Sequence, residues 1–174
     1  MRPRLHSGAC ARPLSFTVRC HLETQRMVPA AAIRNREVAA FADQARAFLL
    51  SHAWCETVTS LQLAWATAGI LGVFLAEVVG SKPGVDQFLW VVVGDLPPAY
   101  LVRDDAPTWH EALRCYVTEM RKWVAAVRAG ASTREVIPVN APSTPEYANL
   151  LEARLKFVTE EILSTPPGVL ASDT

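Results

Sequence analysis

Glu77, Asp95 and His110 are the residues of this chain whose types could support chemistry. Carboxylates and an imidazole together can move protons or hold a metal ion, because a carboxylate can orient or polarise the ring of a histidine. Asp95 and His110 belong to a run of polar residues with Arg103, Asp104, Asp105 and Glu111, where strand ends are expected. Their spacing matches no metal-binding pattern, so no metal and no cofactor is expected. Asp105, Thr108 and Glu111 also suit helix capping, and Asp95 suits the turn after a strand. Glu77 is the least comfortable of the three, because it lies inside the apolar run "GILGVFLAEVVG", residues 69–80. A carboxylate buried there would need a partner or a proton, whereas one at the strand end would stay in water. A hairpin turning at Pro83-Gly84 would set Glu77 near Trp90.

Other catalytic signatures are missing. Cys10, Cys20, Cys55 and Cys115 form no CxxC and no Cys/His pair at zinc spacing. "GSKPGVD" reads as a turn rather than a phosphate loop, and no Ser or Cys sits in a nucleophile elbow. Trp54, Trp65, Trp109 and Trp123 suit either a core boundary or a pocket or interface.

The elements that must position these residues follow from hydrophobic spacing. In residues 35–52, Val38, Phe41, Ala42, Ala45, Phe48, Leu49 and His52 recur at spacings of three and four, which predicts an amphipathic helix capped by Asn35. Residues 57–76 are twenty in a row without a charge, long enough to cross a bilayer. Polar residues dilute the first half, and no basic cluster flanks either end to set an orientation. The denser runs at 70–79 and 88–95 are separated by "GSKPGVDQ", which predicts a β-hairpin. Neither run alternates, so both of its faces should be covered. "AYLVRDD" suggests a third short strand after Pro97-Pro98.

Thr108 and Glu111 have capping-box spacing ahead of a helix with the stripe Leu113, Tyr116, Val117, Met120, Val124 and Val127, stopped at Gly130. A last helix is expected from Ser143, capped by Ser143 with Glu146, with the stripe Tyr147, Leu151, Leu155, Val158 and Ile162. The fold class expected is α+β: a small antiparallel sheet built on the 70–79/88–95 hairpin and packed by about three helices.

Of the 174 residues, 51% are hydrophobic and 20% charged, a globular composition. The formal net charge is zero, but residues 1–26 hold five arginines against Glu23 alone, leaving 12 basic and 16 acidic residues in the rest. A mildly acidic body gives no basic face for nucleic acid. Residues 1–26 lack the apolar stretch of a secretory signal and are expected to be a disordered extension or a start-site artefact before Met27. Residues 27–165 are expected to form one α+β domain, and 166–174 a flexible tail.

The stretches "GILGVFLAEV", "FLWVVVGDLPPAYLVRDDAP" and "IPVNAPSTPEYANLLEARL" resemble a family of small uncharacterised bacterial proteins of unknown function, over about residues 54–163. The resemblance implies a soluble bacterial α+β protein and carries over no site residue. Together these features lead to an expected non-enzymatic, cytoplasmic interaction or accessory protein, of the immunity or adaptor kind, with a protein partner. The alternatives are a small-molecule-binding domain or hydrolase using Glu77, Asp95 and His110, or a membrane-associated protein.

Overall fold

The computed structural model describes residues 27–164, so the expectations for 1–26 and 166–174 lie outside the described residues. Five strands form one antiparallel sheet in sequential order: β1 (Val28–Pro29), β2 (Cys55–Thr67), β3 (Leu71–Gly80), β4 (Phe88–Gly94) and β5 (Ala99–Val102). Three helices pack on it: α1 (Arg36–Leu50), α2 (Trp109–Arg128) and α3 (Pro145–Phe157), the last continued by a π turn at Val158–Ile162. The architecture is the α+β arrangement expected, with the 70–79/88–95 hairpin at the centre of the sheet.

The lack of alternation in β3 and β4 has a direct cause. Phe74, Ala76, Val78, Leu89, Val91 and Val93 pack with Phe41, Ala42, Ala45 and Leu49 of α1 on one face. Leu71, Val73, Leu75, Trp90 and Val92 pack with α2 and α3 on the other. A strand buried on both faces has no water-facing positions to alternate with.

The 57–76 segment bends back on itself. Its first half is most of β2, whose residues 57–67 pair with 71–79 of β3 around a turn in which Gly69 has φ +71°. The pairing of β2 with β3 shifts register three times, between Cys55 and Thr57, Val58 and Ser60, and Leu63 and Trp65. β1 covers only Gln62 and Leu63 of its outer side. Such irregularities blunt an exposed edge against pairing with another chain, and Arg46 of α1 donates to the Val58 carbonyl at 3.0 Å. No helix among the described residues is long and apolar enough to cross a membrane.

Local signals held at most helix ends. Asn35 caps α1, accepting from the backbone N–H groups of Glu37 and Val38. Thr108 and Glu111 form the reciprocal capping box of α2, and the whole predicted α2 stripe is buried together with Trp109, Ala112 and Trp123. α3 differs in two respects. Its cap is Thr144 rather than Ser143, which leaves Pro145 at the first helical position where its missing N–H costs nothing. Tyr147 lies outside the buried stripe, which is instead Ala148, Leu151, Leu155, Val158 and Ile162.

Candidate functional site

Asp95 follows Gly94, whose φ of +136° and close approach to the Ile70 carbonyl admit no side chain. The Asp95 backbone N–H donates to that carbonyl at 2.9 Å, fixing the β4–β5 connection beside the β2–β3 turn. Arg154 of α3 grips Asp95 twice, with Nη2 2.6 Å from Oδ2 and Nε donating to the backbone carbonyl at 3.1 Å. This pair forms the rim of an open groove of about 290 Å³, lined by Ile70, Leu96, Ala153, Phe157 and Val158. The floor is apolar, and the volume lies at the lower limit of about 300–1,000 Å³ for sites that enclose small molecules.

The groove continues onto an exposed apolar ridge. Tyr147, Leu150 and Phe157 of α3 are 47, 58 and 43% exposed. With Arg154 they recur at spacings of three, four and three, so they form one stripe beside the buried one. A water-facing stripe of large side chains is the kind of surface that partners cover. The helix pattern does contain this signal: α3 has more apolar positions than one buried stripe can hold. Assigning Tyr147 to the core concealed it.

Glu77 is elsewhere. It lies half-buried near the end of β3, cross-strand from Phe88 and not from Trp90. Trp90 instead opposes Leu75. The chain does turn at Pro83-Gly84, where Gly84 has φ +87°, but the strands on either side pair in a register different from the one a symmetric turn there would set. Val85 closes over Gly80, where a Cβ would collide with it, and Ser81 is tied to Trp54 and Ala53 by backbone and hydroxyl hydrogen bonds. The register is therefore offset by two residues, an even number that preserves the faces. The Glu77 carboxylate accepts from Gln87 Nε2 at 2.8 Å. It is the partly wetted strand-end carboxylate of the two alternatives.

His110 lies in the first turn of α2, with Nε2 3.2 Å from the Leu163 carbonyl. A carbonyl only accepts, so Nε2 carries the proton in that contact. The ring meets Trp109 edge-on, and Trp109 stacks on Trp65 with centroids 5.3 Å apart. His110 thus ties the end of the α3 extension to the start of α2.

The three sequence candidates do not converge. Leu71 opposes Gly94 and Glu77 opposes Phe88, so Asp95 and Glu77 lie at opposite ends of the hairpin, about 20 Å apart by strand rise. The anchors of Asp95 and His110, Arg154 on α3 and Leu163 just after its π extension, are nine residues apart, about 13 Å by helical rise. Among the described residues no group of three or more His, Cys, Asp or Glu could hold a metal ion. A hydrolytic site built from Glu77, Asp95 and His110 together is therefore not formed.

Of the tryptophans, Trp109 and Trp123 are buried, while Trp54 and Trp65 are partly exposed. Trp54 belongs to a second aromatic group in which the His52 ring is packed by Phe48, Trp54 and Tyr100, with centroids 4.8 to 5.4 Å away. Burial pushes the Tyr100 phenol up, a hydrogen bond with Trp54 opposes this, and the charge of Asp86 adds to it. The imidazole fills the space between the rings, so this is a packed knot rather than a cage.

Comparisons of the chain with protein-family models, with curated proteins and with solved structures found no match.

Proposed function

We propose that this chain is a non-enzymatic interaction or accessory protein, of the immunity or adaptor kind, acting in the bacterial cytoplasm through the α3 ridge. The carrying observation is the exposed stripe of Tyr147, Leu150 and Phe157 beside the Asp95–Arg154 groove. The dispersal of Glu77, Asp95 and His110 supports this reading over the hydrolase. The resemblance of residues 54–163 to small bacterial proteins of unknown function is compatible with it. Large apolar side chains at the centre of a docking face supply most of its affinity, and a handful dominate. Leu150 and Phe157 are the expected anchors, and both tolerate substitution because neither is part of the core.

The test is co-purification from native cells with the parent chain and with the Leu150→Asp/Phe157→Asp variant. A protein retained by the parent and lost by an equally well-folded variant supports the reading. Equal retention of the same protein by both would place the interface elsewhere and overturn it.

A further inference from the structure

We draw no further inference here: the strongest candidate, the exposed apolar stripe of α3 with the Asp95–Arg154 groove beside it, belongs to the site already described, and nothing in the structure shows what covers it.

Discussion

Replacing Trp90 with alanine removes the largest side chain of β4 and one polar tie that joins the sheet to α2. Trp90 is 2% exposed and packs in the core cluster shared by the sheet, α2 and α3. Its indole Nε1 donates to the carbonyl of buried Ala106 at 2.6 Å, just before the α2 capping box. Truncating a buried Trp costs about 3–5 kcal/mol, and a buried carbonyl deprived of its donor about 1–3 kcal/mol. These contributions overlap, so the expected loss for Trp90→Ala is about 4–6 kcal/mol. A typical domain has about 5–15 kcal/mol in total. Trp90→Phe keeps most of the packing and removes the donor, and should lose about 1–3 kcal/mol. Urea unfolding followed by far-ultraviolet circular dichroism measures both without depending on indole fluorescence. A Trp90→Ala loss below about 1 kcal/mol, well under the range for buried aromatics, would refute the packing and the register that places Trp90 opposite Leu75.

Two further outcomes follow from individual side chains. Glu77→Gln should change stability by less than about 0.5 kcal/mol, as substitutions outside cores and buried networks usually do, and a urea titration showing clear stabilisation would mark Glu77 as a carboxylate held at a cost. Tyr116 is fully buried, its hydroxyl donates to the Pro97 carbonyl at 2.8 Å, and burial pushes its pKa far above the ordinary value. Its folded pKa is raised, so its contribution is complete below the unfolded value of about 10 and is lost as pH rises beyond it toward the folded one. Melting curves should therefore fall more steeply above that pH for the parent than for Tyr116→Phe, and parallel curves would contradict the burial of the phenol.

Much of the fold was legible because each signal was local. Asn35, Thr108 with Glu111, and Gly130 mark helix ends through their own side chains or backbone, and the apolar runs of β3 and β4 need no partner to be recognised. β2 was not legible as a strand. Its three register shifts break the period of two on which strand recognition depends, and its inward positions are spread through polar residues. The offset of Glu77 from Trp90 was hidden for another reason: the loop between β3 and β4 is asymmetric about Pro83-Gly84, with Val85 against Gly80, so the turn residues alone do not fix the register. The candidate site divided the same way. Asp95 was visible as a polar residue after a strand, but its grip by Arg154 joins residues 59 apart in sequence. The ridge was missed because Tyr147 sits only one position from Ala148, which takes the core place on α3.

Site-specific photocrosslinking in native cells tests the central claim most directly. A benzophenone side chain replaces Leu150 in one variant, Phe157 in a second and Val79 in a third, Val79 being comparably exposed but on β3. The ridge account predicts that the probes at 150 and 157 capture the same protein in a single discrete adduct, and that the probe at 79 captures none of it. A discrete adduct at 79 with nothing at 150 or 157 would contradict the account and place the working surface on the sheet.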